Sequence, residues 1–178
     1  MLFLRDFYLI ILSNDTLYQW YALYTRSRAE KKVYEKLKEI GIDVYLPLRK
    51  ELRHWSDRKK WIEKPVINSY IFVNIPRKDY LRVFEARGVV AYVSANKKAV
   101  IIPDCEMRAM QQAVKSNLSF NVEASSIRKG QLVTIASGPL KGITGEIFET
   151  QGSKKLYLRI SHIGYSLVVD LSEDENNK

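Results

Sequence analysis

The stretch that most constrains the fold is residues 65–76, PVINSYIFVNIP, which carries no charge although it lies in the most basic part of the chain. Its β-branched and aromatic residues, bracketed by proline, predict a buried central strand. The two-residue period of a strand places Tyr70, Phe72 and Asn74 on one face and Ile71, Val73 and Ile75 on the other. One face can close a hydrophobic core, and we expect the ring-bearing face to be a docking surface.

Positive charge is concentrated in the N-terminal two thirds of the chain. The formal net charge is +9; residues 1–125 hold 22 Lys and Arg against 14 Asp and Glu, whereas residues 126–178 hold 7 against 6. A one-sided positive field suits a polyanion, most simply a nucleic acid, although many basic proteins bind none.

The sequence has no recognisable catalytic or metal-binding pattern. Cys105 is the sole cysteine, which excludes a disulfide framework and a thiolate metal cluster. His54 and His162 fall in different predicted domains, without Cys or carboxylates at metal-ligand spacing. The glycines of residues 138–145 lack the Gly-Lys-Ser/Thr end of a nucleotide-binding loop. We therefore expect a protein that is not an enzyme and that uses no cofactor and no metal.

No stretch predicts a membrane span or a signal peptide. Residues 7–12, FYLIIL, are too short for a signal core, and no run approaches the roughly 18 apolar residues that a span needs. We expect a cytoplasmic monomer that does not bind membranes, with residues 1–17 as an N-terminal extension.

Residues 18–115 predict a first domain of the α+β class, an antiparallel sheet with helices. Residues 20–24, WYALY, predict a strand, and Ser27 with Glu30 matches a capping box at the start of a helix. The apolar stripe of that helix is expected to be Ala29, Val33, Leu37 and Ile40, and Gly41 is expected to end it.

The second half of this domain predicts two further helices. One runs over residues 77–88, with Tyr80, Leu81 and Phe84 on its inner face, and the other begins at Pro103. Between them, a strand at residues 89–93 and a hairpin turn at Asn96-Lys97 are predicted.

Residues 49–64, RKELRHWSDRKKWIEK, predict a hairpin arm with seven basic and three acidic residues. Trp55 and Trp61 flank its turn and can pack on each other across the arm. Basic residues interleaved with aromatic ones suit phosphate contact combined with base stacking. The alternative is a charged hairpin that protects a sheet edge.

Residues 127–174 predict a second, smaller domain. Four short strands, at residues 131–136, 144–150, 154–160 and 166–171, alternate with turns and can bury a core by curling into a small barrel. The polar residues 116–126 lack periodicity and coincide with the charge shift, so they are predicted to be a linker.

Two passages together resemble the NusG family of transcription elongation factors. Residues 20–24 before a capped helix, the strand at residues 70–73 and Arg87-Gly88-Val89 resemble its N-terminal NGN domain. Residues 129–133, KGQLV, followed by residues 137–142, SGPLKG, and residues 145–147, GEI, resemble its KOW domain, an SH3-like β-barrel. The resemblance runs from residue 20 to residue 171 with both domains in family order.

The resemblance implies that the first domain binds the clamp helices of the RNA polymerase β′ subunit. Holding the clamp closed would suppress pausing and termination. The residues at matching positions are Trp20, Tyr24, Ile67, Tyr70, Phe72 and Arg87.

One departure resembles a specialised branch of the family. General elongation factors have Phe-Pro-Gly-Tyr where this chain has Ile67-Asn68-Ser69-Tyr70. That is similar to RfaH and to UpxY-type antiterminators, which are associated with capsular polysaccharide operons and in which a basic patch binds the non-template DNA strand. The resemblance implies this role for Arg26, Arg28, Lys32 and Lys36. A solvated helix face with ion pairs is the alternative for these cations.

In the barrel, Leu140, Ile143 and Ile163 lie where the family contacts a small-subunit ribosomal protein or the termination factor Rho. Aliphatic residues here replace the usual aromatic ones. The alternative function is that of a ribosome-associated RNA-binding KOW protein, which the nearly neutral residues 126–178 disfavour. A barrel that refolds into helices, as in RfaH, is a further alternative, against which the β-branched strand near Tyr165 argues.

Overall fold

A computed structural model describes residues 16–54, 58–116, 118–124, 130–150 and 153–171. Its two α-helices of ten residues or more are α1 (Glu30–Glu39) and α2 (Asp104–Lys115). The strands are β1 (Gln19–Thr25), β2 (Asp43–Tyr45), β3 (Leu48–His54), β4 (Lys59–Pro65), β5 (Tyr70–Ile75), β6 (Val89–Tyr92), β7 (Ser94–Ala95), β8 (Lys98–Ala99), β9 (Ile101–Ile102), β10 (Phe120–Ala124), β11 (Gln131–Thr134), β12 (Thr144–Thr150), β13 (Ser153–Ile160) and β14 (Tyr165–Asp170).

These elements form two compact units. One contains the described residues up to Leu46 together with Asn68–Ile101, and the other contains Pro47–Ile67 and the described residues from Ile102 onward. The β3–β4 hairpin and α2 therefore group with the C-terminal strands. The domain boundaries drawn from the sequence, at residues 18–115 and 127–174, stay a prediction.

The first unit is built on an antiparallel sheet whose main path runs β2-β5-β1-β6. Every residue of β5 except Asn74 is buried, because β5 has a neighbouring strand on each side. Leu23, Ile71 and Val73 are fully enclosed and form the centre of its core. The internal strand predicted within residues 65–76 is thus confirmed.

Helix α1 buries Val33 and Leu37, as the stripe predicts, and ends where Gly41 was expected to end it. Gly41 has φ +78°; its N–H binds the Lys38 carbonyl, and the Ile42 N–H binds the Leu37 carbonyl. This paired termination is the Schellman motif, which glycine favours. The predicted capping box is wrong, since Ala29 is the N-cap residue and makes no side-chain cap hydrogen bond.

The helix predicted over residues 77–88 is also wrong, because the chain forms two short 3₁₀ turns, Arg77–Asp79 and Arg82–Glu85. Tyr80 stacks on Tyr92 at 3.9 Å between ring centroids, and the Tyr92 hydroxyl donates a hydrogen bond to the Tyr80 carbonyl. These contacts hold the segment against the sheet in a shape that a regular helix does not have. Val83 is the buried residue, and the predicted inner residues Leu81 and Phe84 are exposed.

In the second unit, β3 and β4 form the predicted hairpin, paired from Leu48 opposite Pro65 to His54 opposite Lys59. The predicted contact of Trp55 with Trp61 lies outside the described residues. Helix α2 begins directly after Pro103, as predicted, and buries Met107, Met110 and Ala113.

The C-terminal strands form an antiparallel sheet in the order β10-β14-β13-β12-β11. Leu156, Leu158, Leu167 and Val169 are buried, and Arg159 holds Glu146 by two hydrogen bonds of 2.8 and 2.9 Å. β10 lies inside the segment predicted as a linker, because pairing with β14 orders residues that carry little hydrophobic pattern of their own. Closure of this sheet into a KOW barrel stays a prediction.

Helix α2 packs against β13 and β14 within this unit. The Gln112 side-chain amide donates to the Pro139 carbonyl at 2.8 Å, and the Glu106 carboxylate accepts from the Ser161 N–H at 3.1 Å. The periodicity of the sequence identified the apolar side of α2. The polar contacts at its edges could not be predicted, because their partners are remote in sequence.

Gly88 provides a test of the packing between α1 and the start of β6. It has φ +115°, and a Cβ placed there would lie 3.0 Å from Val33 Cγ2 and 3.2 Å from Ala29 Cβ. We expect Gly88→Ala to lower the free energy of unfolding by about 2–3 kcal/mol, from strain and overpacking together. Urea unfolding followed by circular dichroism measures it.

Gly41→Ala is the matched control, because Gly41 also has positive φ but a Cβ there would meet no atom within 4 Å. It should cost about 1 kcal/mol from backbone strain alone. Equal losses in the two variants would contradict the predicted steric contribution at Gly88.

Candidate functional site

The register of β1, β2 and β5 collects aromatic residues on one face of the N-terminal sheet. Trp20 lies opposite Asn74, Ala22 opposite Phe72 and Tyr24 opposite Tyr70. Tyr45 of β2 lies on the other side of Phe72. Directly opposed residues share a face, so these side chains form one surface, which we call the aromatic face.

The structure corrects the expectation that this face presents all its rings to a partner. Phe72 is 0% exposed, and Tyr70 and Ile67 are also buried. Phe72 occupies an internal strand, and the Tyr45 ring lies 6.5 Å from it between centroids. In this conformation these three predicted contact residues are core residues.

Tyr24 is the ring that remains accessible. Its side chain is 45% exposed, and its ring meets the Tyr70 ring edge to face, with centroids 4.8 Å apart. Such pairs contribute about 0.5–1.5 kcal/mol beyond area burial. The Tyr24 ring therefore packs on a buried ring, which fixes its position. Trp20, near the other end of β1, is half-buried.

Cationic side chains flank Tyr24. The Arg26 N–H binds the Gly88 carbonyl at 2.8 Å, which joins the segments that carry Arg26 and Arg87, and both side chains are exposed. Ala91, which lies opposite Tyr24 on β6, leaves the ring open on that side. We call Tyr24 with Arg26 and Arg87 the Tyr24 site.

The other predicted DNA-contacting residues lie on or just before α1. Arg28 and Lys32 are exposed, and Arg28 has φ +62° in the turn before the helix. Lys36 is half-buried, and its ammonium group pairs with Glu39 at 3.1 Å. The side chains of Arg26, Arg28 and Lys32 are thus exposed to solvent. Lys36 instead forms an intrahelical ion pair, as expected if this helix face is only solvated.

A buried carboxylate supports the start of β5, and sequence reasoning missed it. Glu30 is 5% exposed and accepts a hydrogen bond of 2.8 Å from the Ser69 N–H. Ser69 has φ +63°, and its carbonyl accepts from the Thr25 N–H at 2.9 Å. The turn that delivers Tyr70 beneath Tyr24 is therefore held from both α1 and β1. Glu30 and Ser69 are 39 positions apart, so no local signal could pair them.

Tyr45 adds an unusual group to the aromatic face. Its hydroxyl is buried without a hydrogen-bond partner among the described residues. Burial raises the pKa of Tyr45 to about 12, because the phenolate would lose its hydration. The ring is thus kept neutral and apolar next to Phe72.

The predicted partner surface of the C-terminal sheet is not exposed. Leu140, Ile143 and Ile163 are all buried. Ile143 lines a groove of about 430 Å³ between α2 and the sheet, together with Ala109 and Leu158. These aliphatic residues pack within the unit rather than facing a partner in this conformation.

Within the described residues, no three His, Cys, Asp or Glu side chains are grouped as a metal site would require. No helix in that part of the chain is long and apolar enough to cross a membrane.

Comparison with known proteins gives one consistent family. The NusG family model, "Transcription termination factor nusG", matches residues 18–111. The "Transcription termination/antitermination protein NusG" of Rickettsia felis is 22% identical over 93% of both chains, and that of Staphylococcus carnosus is 25% identical over 90% of this chain and 95% of its own. A solved structure titled "Domain interaction in Thermotoga maritima NusG" covers 85% of this chain and 92% of its own, with 23% identity and a TM-score of 0.49.

The Glu30 contact leads to a stability prediction. Glu30→Ala removes the acceptor of the Ser69 N–H and should lower the free energy of unfolding by about 2 kcal/mol, because a buried donor loses its partner. Chemical unfolding monitored by tryptophan fluorescence measures the loss.

Glu35→Ala, at an exposed position of the same helix, should change stability by no more than about 0.5 kcal/mol. Glu30→Gln keeps an acceptor and should fall between the two. A Glu30→Ala variant as stable as Glu35→Ala would show that this contact does not hold the turn.

Proposed function

Because this chain belongs to the NusG family of transcription termination and antitermination factors, we propose that it binds transcribing RNA polymerase through the Tyr24 site. Proteins of this family are transcription factors and not enzymes. The observation that supports the proposal is an accessible ring, Tyr24, fixed on a buried ring and flanked by two exposed arginines.

The chemistry of this site suits a protein partner. Exposed aromatic residues next to arginine are typical of residues that dominate binding energy in protein interfaces. Tyr70 and Phe72 act beneath the surface, since they set the position of Tyr24 rather than contact the partner. The clamp helices of the β′ subunit are the proposed partner, as the resemblance of Trp20, Tyr24 and Arg87 implies.

The proposed mechanism is a shift between two states of the polymerase. A factor that binds the closed clamp more tightly than the open clamp increases the closed population without any chemistry of its own. A preference of about 1.4 kcal/mol changes the ratio of closed to open tenfold. Pausing and termination, which accompany opening, would then be suppressed.

Arg26, Arg28 and Lys32 are proposed to contact the non-template DNA strand. Arg26 belongs to the Tyr24 site, and Arg28 and Lys32 are exposed cations close to it in sequence. Phosphate contacts of such residues position a protein on nucleic acid without reading its sequence. Lys36 is a weaker candidate because it already pairs with Glu39.

We further propose that the chain acts on a restricted set of operons, of the polysaccharide type, as a specialised UpxY- or RfaH-like member. The support is the Ile67-Asn68-Ser69-Tyr70 sequence, in which Ser69 takes the positive φ that glycine adopts most easily. Sequencing transcripts from a deletion strain tests it: changes confined to a few operons support the proposal, and changes across most operons contradict it.

Tyr24→Ala tests the polymerase contact. We expect the dissociation constant for purified core RNA polymerase to rise about tenfold or more, since a central aromatic anchor is lost. Biolayer interferometry with immobilised full-length protein measures it, and a far-ultraviolet circular dichroism spectrum confirms folding.

Leu81→Ala is the matched control, because Leu81 is a 77% exposed apolar residue of the same unit outside the Tyr24 site. It should leave the dissociation constant within about twofold, as substitutions away from interface anchors do. No binding by the unmodified protein, or equal binding by Tyr24→Ala, would refute the proposal.

A further inference from the structure

The β3–β4 hairpin carries a large aromatic ring that is exposed to solvent. Trp61 is 64% exposed, and Leu52, directly opposite on β3, is 37% exposed. A tryptophan in an isolated hairpin usually gains stability by covering a neighbouring ring or core, because its burial contributes strongly. Here the two side chains form a small apolar patch that faces solvent.

Charged side chains lie on the same face as this patch. Lys59 lies two positions before Trp61 and therefore on the same face, while His54 and Lys50 lie diagonally across on β3. Lys59 and Lys50 are both exposed. Glu63 is also exposed on this face, two positions after Trp61 and opposite Lys50. The positive charge next to the ring therefore lies on the side of Lys59.

The opposite face of the hairpin is also basic, but part of its charge is neutralised internally. Glu51 lies 3.7 Å from the Arg53 guanidinium and 3.6 Å from the Lys64 ammonium group. Lys60, opposite Arg53, is exposed. The cations at the Trp61 end of the hairpin thus favour a polyanionic occupant by charge complementarity.

The exposed indole of Trp61 favours a single-stranded nucleic acid over a duplex. A ring gains stacking energy only from a base whose face is open, and a duplex conceals its base faces within the stack. A two-stranded ribbon could enter a major groove by its width, but Trp61 would then meet base edges rather than base faces. The combination of ring and flanking lysines therefore matches a single strand.

We propose that the β3–β4 hairpin binds single-stranded nucleic acid, with Trp61 stacking on one base while Lys59, on the same face, contacts a flanking phosphate. This site belongs to a different compact unit from the Tyr24 site and the cations near α1. It does not depend on polymerase binding, so either proposal can fail alone. The hairpin would recognise an unpaired base and its phosphates, which single-stranded DNA and RNA have in common. The preference between DNA and RNA would depend on the sugar.

The test uses the full chain and fluorescein-labelled oligothymidylate and oligouridylate of about 12 nucleotides, with a duplex of the same length. Fluorescence anisotropy gives each dissociation constant. We expect Trp61→Ala to weaken binding of at least one single strand about tenfold, and Trp61→Phe to stay within about threefold of the unmodified protein because a ring is kept. The oligonucleotide with the lower dissociation constant shows whether the hairpin prefers DNA or RNA.

Two controls separate stacking from folding and from charge. Leu132→Ala, at a 70% exposed apolar position of β11, should leave binding unchanged. Replacing Lys59 by Gln should reduce the slope of log affinity against log salt by about 0.7, because one phosphate contact with the single strand is lost and fewer counterions are released.

The proposal is overturned if the full chain binds neither single strand, if Trp61→Ala binds both as well as the unmodified protein, or if Trp61→Ala weakens the duplex as much as the single strand. An unchanged salt slope in the Lys59→Gln variant would remove the role given to Lys59. A Trp61→Ala variant that loses polymerase binding but keeps oligonucleotide binding would assign the hairpin to a protein contact instead.

Discussion

The antiparallel pairing of β1 with β5 is the constraint on which the rest of the N-terminal unit depends. It places Ala22 against Phe72 and Tyr24 against Tyr70, so a small residue meets a large ring at one level of the aromatic face and two rings meet at the next. A slip of one residue would turn every side chain of β5 to the other face, which would place Ile71 and Val73 where the rings of Tyr70 and Phe72 now pack. The register is therefore fixed by burial as well as by hydrogen bonds.

That register also explains how the aromatic face can combine enclosed rings with an accessible one. β5 lies inside the sheet, and its rings are enclosed. The end of β1 near Tyr24 lies beside the short strand β6, where the small side chain of Ala91 covers little of the Tyr24 ring. The accessible aromatic group is consequently at the end of a rigid strand. The Glu30 carboxylate and the Ser69 turn hold that end in place, which limits the conformational entropy that a partner would have to remove on binding.

Charge is distributed in a way that a single net value conceals. Exposed cations of the first unit lie at Arg26, Arg28, Lys32 and Arg87, while a second group lies on the hairpin with Trp61 in the other unit. Each unit thus carries exposed cations together with an exposed ring.

The amino-acid sequence by itself determined the strands other than β10, the hairpin arm, the start of α2 and the Gly41 helix end, because residue type, period and turn chemistry act over a few neighbouring positions. The roles of Tyr24, Arg26 and Arg87 came from the family resemblance and stay a prediction. Only the tertiary structure decided that Phe72, Tyr70 and Ile67 are enclosed, that Glu30 binds Ser69 rather than capping its own helix, and that residues 77–88 form turns beneath Tyr92. Each of those outcomes depends on a neighbour remote in sequence, and a local pattern carries no information about which remote neighbour will cover a side chain.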